Sequence, residues 1–455
     1  MSSLLSLLGL GAAGLSAQHA GVAVASNNAA NVNSPGYSRQ RLDLRAEIGP
    51  PTLGGVRTGR PERWHDELLS RRERESDAGR AQAQAFAPAM LDLEARLDGG
   101  GPPLDRRLAT LWAGLERVAA MPSDSLVRAA AIAAAADLAA GFRERAEAVA
   151  AARAEADTRI RDQATAVTTA AAELAELNRQ HAISPDPVIA DRRDQAGRKL
   201  AELVGGTGRI DSDGHVHWTL PDGAVLVDGT RSARLEATPD PVTGWHQLTV
   251  VDGSSRRDVT TSLTGGSLAG ELAFRDGEGA AAAGALDQLA VDVATAWNNV
   301  HRAHAGTDGV SGRDLFVPPT ATAGAAANFA VDPGVAADPT RLATATPGAG
   351  PGDNAGALAM LGLRDQRVAG GGTQTLGDAA IDIVGRVGRR GAEAKAEVDR
   401  TTLISDHLGD LRAALSGVDI DEELSNLAQF QHGAEAMTRF IATVDGLLSD
   451  LLQRL

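Results

Sequence analysis

Residues 1–38 contain no Lys, Arg, Asp or Glu, and residues 427–455 carry an unbroken apolar seam. Its members, Leu427, Phe430, Ala434, Met437, Ile441, Val444, Leu448, Leu451 and Leu455, step alternately by three and four. That spacing is the heptad repeat of a coiled coil, so the segment predicts a helix that buries one stripe against another helix. The N-terminal segment repeats the spacing more loosely, through Leu4, Leu8, Gly11, Leu15, Gln18, Val22, Ala25, Ala29 and Val32. Gly9, Gly11, Gly14 and Gly21 make it a poor isolated helix, but small residues let a partner come close. Each end therefore needs packing to be ordered, and the natural partners are the other end and neighbouring copies of the chain.

Aromatic residues are only 3% of the 455, with Tyr37 the single tyrosine, so Ala and Gly must fill much of the interior. Such an interior suits long, closely packed helices better than an aromatic-lined ligand pocket. A net charge of -15 opposes a phosphate backbone or an anionic membrane, so neither nucleic acid nor membrane is expected as a partner. The absence of cysteine excludes disulfides, thiolate metal sites and cysteine nucleophiles. Residues 4–25 imitate a signal-peptide apolar region ending in Ala23-Val24-Ala25, but the positively charged leader is missing. Ser, Gly, Gln18 and His19 interrupt any membrane span there, and the expectation is a soluble chain with adhesive ends.

The expected fold class is mainly α with an inserted antiparallel β domain, long antiparallel helices, and a coiled coil formed by the N- and C-terminal segments. Residues 1–60 form the first part of the coiled-coil core domain, with the turn series Asn31-Val32-Asn33-Ser34-Pro35-Gly36 ending the first helix. Residues 61–208 form the first part of a helical rod. Within it, 124–182 hold no proline and one glycine, a run of roughly 85 Å at 1.5 Å per residue that is either a continuous rod or folded back. Residues 209–278 read as the β insert, because alternating stretches are punctuated by Asp213-Gly214, Asp222-Gly223, Asp228-Gly229 and Asp252-Gly253. Residues 279–415 complete the rod, with a loop-rich stretch over 305–375, and 416–455 are the C-terminal helix of the core domain.

Other constellations point to no catalysis. His215 and His217 share a strand face, and His301 and His304 lie three apart on a helix. Either pair is half of a metal site, yet neither has carboxylates at ligand spacing on its own element, so packing histidines are the expectation. Gly205-Gly206-Thr207-Gly208 follows a helix and opens a β region, which makes it a helix stop and not a phosphate cradle. Neither a Gly-x-Ser-x-Gly elbow nor a His-Glu-x-x-His pair is present, and enzymatic activity has no sequence support.

The run from Ser26-Asn27-Asn28-Ala29-Ala30-Asn31 through Val32-Asn33-Ser34-Pro35-Gly36-Tyr37-Ser38-Arg39-Gln40 resembles the N-terminal signature of the axial proteins of the bacterial flagellum. The stretch from Ser416-Gly417-Val418-Asp419-Ile420-Asp421-Glu422-Glu423 to Leu427-Ala428-Gln429-Phe430-Gln431 is similar to the C-terminal signature of the hook-associated protein 1 (FlgK) family. Asp191-Arg192-Arg193-Asp194-Gln195, the 266–272 segment and Leu286-Asp287-Gln288-Leu289 resemble the same family in the same order. Two departures stand out. Many members carry a further domain after the segment matching Arg313-Asp314-Leu315-Phe316, which is absent here, and His432-Gly433-Ala434 replaces a glutamine and aromatic pair. Gly433 is expected to loosen the terminal helix by about 1 kcal/mol.

The resemblance implies a structural, cofactor-free subunit that joins hook to filament. It implies export unfolded through the flagellar type III apparatus, with an export chaperone on the C-terminal helix. The implied partners are further copies in a ring, the hook protein and the second hook-associated junction protein, at an extracellular location. Asn27, Asn28, Asn31 and Asn33 are expected to satisfy backbone groups after the first helix, Pro35 and Gly36 to set the turn, and Tyr37 to anchor it. Leu427, Phe430, Met437, Ile441, Val444, Leu448 and Leu451 are the expected assembly seam. The alternatives are a hook or rod protein, of which a hook protein would carry more β sequence and no long 124–182 helix, a secreted surface protein with a cleaved leader, and a cytoplasmic coiled-coil scaffold.

Overall fold

The computed structural model describes residues 2–47, 54–99 and 101–453, so Leu455 of the seam lies outside the described residues. A single helix, α4 (Ser125–Ile183), sets the plan of the body. Its 59 residues run without a break, about 88 Å at 1.5 Å per residue. Asp124 caps it by accepting the N–H groups of Leu126 and Val127, and alanines along two faces let neighbouring helices approach. The long helical run is thus a rod, not a folded-back pair.

Two cores share this spine. Around its first half Leu138, Phe142 and Val149 pack with Met90, Leu93 and Leu97 of α2 (Glu67–Gly99) and with Leu108, Leu111 and Leu115 of α3 (Leu104–Ala120). Leu286 and Trp297 of α7 (Gly279–Ala303) and Ile383 and Val387 of α10 (Leu376–Ser416) close this core. Around the second half Ile160, Val167 and Leu174 meet Leu200 and Leu203 of α5 (Pro187–Val204) and the inner face of the β domain, led by Trp218, Leu226 and Leu248. Each fully buried leucine of this kind contributes about 1.5–3 kcal/mol.

The β domain holds two antiparallel sheets. One orders β3 (Thr207–Ile210), β4 (Val216–Thr219), β5 (Val225–Asp228) and β6 (Arg231–Ser232); the other orders β7 (Arg234–Pro239), β8 (His246–Asp252) and β9 (Ser255–Asp258). The four expected Asp-Gly turns are all present, with Gly214, Gly223, Gly229 and Gly253 at positive φ. The β insert, expected to continue to 278, has its last strand end at Asp258. Gly266–Leu272 forms α6 and Ala273–Glu278 a π-helical turn leading into α7. The glycines there serve close packing: a Cβ on Gly270 would lie 2.4 Å from the Gln82 carbonyl oxygen of α2.

The 305–375 stretch wraps the first core, with α8 (Pro333–Ala337) and α9 (Ala355–Gly362) its α-helices. Asn298 clamps its start, donating to the Phe316 carbonyl and accepting both the Leu315 and Phe316 N–H groups, each at 2.9 Å. Arg128, buried with no carboxylate partner among the described residues, donates to the carbonyls of Pro122 and Pro339 and to Thr344 Oγ1, so an irregular segment stays satisfied inside the protein.

Candidate assembly site

The chain ends form α1 (Ser2–Ala30) and α11 (Ile420–Gln453), which lie antiparallel. Side chains of α11 seat on the glycines of α1. A Cβ on Gly11 would lie 2.7 Å from Ile441 Cγ1, on Gly14 2.9 Å from Met437 Sδ, and on Gly21 2.5 Å from the Phe430 ring. The exchange is reciprocal at Gly433, where a Cβ would meet Gln18 Oε1 at 2.5 Å. Gly433, expected to weaken the helix, makes the room that Gln18 fills. Gly11 and Gln18 keep the expected α1 pattern, and the alternate positions are shifted by one residue. Gly14, Gly21 and Asn28 point into the interface in place of Leu15, Val22 and Ala29, because close backbone approach gains more dispersion contact than a row of larger side chains.

On α11 the seam is unevenly covered. Val444 is buried at 3% exposure, Leu427, Phe430, Met437, Ile441 and Leu448 are half-buried, and Leu451 is 40% exposed. Outside the seam Leu5, Leu424, Leu447 and Leu452 face solvent, as do Leu403, Leu411 and Leu415 near the end of α10. By length and apolar composition, residues in α1 and α4 suffice to cross a membrane. In α4 that apolarity lines both cores, and in α1 it faces α11 on one side only.

A polar joint ties the helix pair to the body. Asn28, 1% exposed, donates to the Gln40 carbonyl at 2.8 Å and accepts the Gln40 N–H at 2.9 Å, as a neighbouring strand would. Its amide also donates to Glu423 Oε2 at 3.2 Å, and its oxygen accepts the Tyr37 hydroxyl at 2.8 Å. Asn27 donates to the Tyr37 oxygen, and Asn31 donates back to the Asn27 carbonyl and side chain. Burial, and then the negative charges of Asp191 and Glu423, push the Tyr37 phenol up to about 12. Pro35 offers its carbonyl to Gln195 Nε2 at 3.0 Å. Gly36, at φ +79°, leaves space for that side chain: a Cβ would stand 2.3 Å from Gln195 Nε2.

The expected set is therefore largely brought together, but with two differences. Asn33 is exposed, and its side chain makes no hydrogen bond among the described residues, because the turn carries it outward; it satisfies no backbone group. Asn27 pairs with the Tyr37 side chain and not with backbone.

Several joint residues were not singled out for this role from the sequence. Arg39 donates to Glu423 Oε1 and Glu422 Oε1, both at 2.7 Å, while its N–H bonds the Ser416 carbonyl at the end of α10. Asp191 accepts the Ser38 N–H at 3.2 Å and Arg63 at 3.0 Å, and Asp194 accepts the same guanidinium at 2.6 Å. Arg63 ends the hairpin of β1 (Gln40–Glu47) and β2 (Gly55–Arg63). Burial pushes the Asp191 carboxyl up, against the pull of Arg63. The available signal was the acid- and arginine-dense Asp191–Gln195 motif, whose partners lie over a hundred residues away.

His301 and His304 do not form a ligand pair. His301 is fully buried, with Nδ1 on the Arg313 carbonyl and Nε2 accepting the Ala343 N–H, and burial holds its pKa below the usual value. His304 Nδ1 donates to the Val300 carbonyl.

Residues 90–316 match the helical-domain model of flagellar hook-associated protein FlgK. Flagellar hook-associated protein 1 of Bacillus subtilis (strain 168) is 25% identical, over 96% of this chain and 96% of its own length. The Escherichia coli (strain K12) protein of that name is 23% identical over 98% and 99%. The flagellar hook junction protein FlgK from Burkholderia pseudomallei has the same fold at a TM-score of 0.69 and 16% identity, covering 76% of this chain and 100% of that one. With the helical body matched and the relatives aligned from the glycine-seated N-terminal helix to the C-terminal seam, the chain belongs to the FlgK family of flagellar hook-associated proteins.

Proposed function

We propose that the chain is a structural subunit of the bacterial flagellum that joins hook to filament and polymerises through α1 and α11. The observation that carries this reading is the one-sided burial of the terminal helices: they satisfy each other along the glycine face and leave Leu5, Leu424, Leu447, Leu451 and Leu452 open to solvent. Two helices that bury so little in a monomer are stabilised when neighbours cover their outer faces, which couples ordering to assembly. The alignments with hook-associated proteins 1 along nearly the whole chain support the location. On this reading further copies complete a ring, the hook protein lies on one side, and the second hook-associated junction protein lies on the other.

Before assembly an export chaperone covers α11, and the chain passes unfolded through the type III apparatus to the cell exterior. A cysteine-free chain suits that route, since it refolds without disulfide chemistry. The test replaces Leu448 and Leu451 together with Asp. Truncation to Ala at a site fully buried in the assembly already costs about 2–5 kcal/mol. A carboxylate costs more, so the variant should be exported and keep a folded body yet fail to anchor filaments. Normal filament attachment would refute the reading.

A further inference from the structure

The outer end of the β3–β4 hairpin gathers side chains that the junction reading does not use. On sequence spacing His215 and His217 lack carboxylates on their own strand; the fold brings them from the preceding turn and from β5. Asp211 begins that turn. Its Oδ1 accepts the N–H groups of Asp213 and His215, both at 2.9 Å, and its own N–H donates to the His215 carbonyl. Those bonds fix the carboxylate with Oδ2 directed at the imidazoles, 3.5 Å from His215 Nδ1 and 2.9 Å from His217 Nε2. His217 Nδ1 in turn lies 3.0 Å from Asp228 Oδ1. The donor atoms of Asp211, Asp213 and His215 all lie within 4.8 Å of one another.

We infer that Asp211, Asp213 and His215 bind a divalent transition-metal ion at the tip of the β domain, with His217 and Asp228 orienting the ligand set. Three donors in that span fit an ion held at about 2.0–2.2 Å from each after small side-chain rotations. The turn accounts for Asp211 Oδ1 alone. It requires neither the exposed Asp213 carboxylate nor an imidazole at 215 or 217. An imidazole nitrogen with two carboxylates selects Zn²⁺, Ni²⁺ or Cu²⁺ over Ca²⁺ and Mg²⁺, which prefer all-oxygen sets. His217, held by Asp228 and bonded to Asp211, is the orienting partner that such ligands ordinarily have. Three protein ligands leave coordination positions for water.

The full-length chain, stripped with a chelator, is titrated with NiCl₂ and ZnCl₂ by calorimetry. One saturable site is expected, with affinity falling more than about tenfold in both His215→Ala and Asp213→Asn. Asp213 is exposed and its side chain takes no part in the turn bonds, so Asp213→Asn separates ligand loss from misfolding. His432→Ala, on α11, should bind as the parent does. No saturable site, or binding unchanged in both hairpin variants, overturns the inference. Neither result bears on filament anchoring, so the junction reading stands or falls separately.

Discussion

Gly9 and Gly21 lie on the same helix and offer a matched test of how the ends pack. A Cβ at Gly9 meets nothing within 4 Å, so Gly9→Ala brings only the gain in helix propensity, about 1 kcal/mol. At Gly21 the same methyl would stand 2.5 Å from Phe430 Cδ1 and 2.6 Å from Cγ. The Cγ contact matters most, because the root of a ring cannot swing aside without moving the whole side chain. Overpacking of this kind costs about 1–3 kcal/mol. The propensity gain is common to both variants and cancels in the comparison, leaving a difference of about 1–3 kcal/mol. In hydrogen exchange of α1 amides, the opening equilibrium of Gly21→Ala should exceed that of Gly9→Ala by roughly five- to 150-fold. Exchange of the first core, around Leu138 and Trp297, should be unchanged in both. If the two variants protect α1 equally, the glycine seats do not set the helix spacing and the packing argument is wrong.

Replacing Asn28 with Ala strips partners from the buried N–H and carbonyl of Gln40, at about 1–3 kcal/mol per unsatisfied group, and should raise exchange at the start of β1 and at the first turn of α11. An unchanged exchange pattern would remove Asn28 from the joint. Tyr37 is the single tyrosine, so the ultraviolet tyrosinate band reports it directly and should titrate with a midpoint near 12. Its folded value lies above the unfolded one of about 10, so its contribution is complete below pH about 10 and is lost as pH rises towards 12. A midpoint near 10 in the folded protein would show an open joint. His301 works in the opposite direction: its folded pKa lies below the unfolded value of about 6.5, so stability is present above that pH and falls as the solution is acidified through and below it. Denaturant midpoints across that range should fall in the parent, and His301→Gln should flatten the dependence.

Much of this architecture was legible because its signals are periodic and local. The seam from Leu427 to Leu451 repeats over many turns, α4 runs through the expected 124–182 stretch, and the Asp-Gly pairs marked their hairpins. The α1 face was read one residue off at alternate positions, because hydrophobicity favours Leu15 and Val22 while the packing uses the absence of a side chain at Gly14 and Gly21. The end of the β domain was misplaced for a related reason. Gly266 and Gly270 act through the side chain they lack, letting α6 press against α5 and α2. The joint was half visible: the asparagines and Tyr37 advertise a turn, but Asp191 meets Ser38 across 153 residues, and no local pattern encodes such a pairing. Asn33 shared the composition of its neighbours and none of their contacts.

The central claim is that the ends are ordered chiefly by other copies of the chain, and mass-resolved hydrogen exchange on the same protein, dilute and assembled, tests it most directly. In the dilute monomer residues 2–30 and 420–453 should exchange far faster than the cores around α4, and on assembly they should become as slow as those cores. Ends that are already as protected as α4 in the dilute monomer, with no change on raising the concentration, would contradict it.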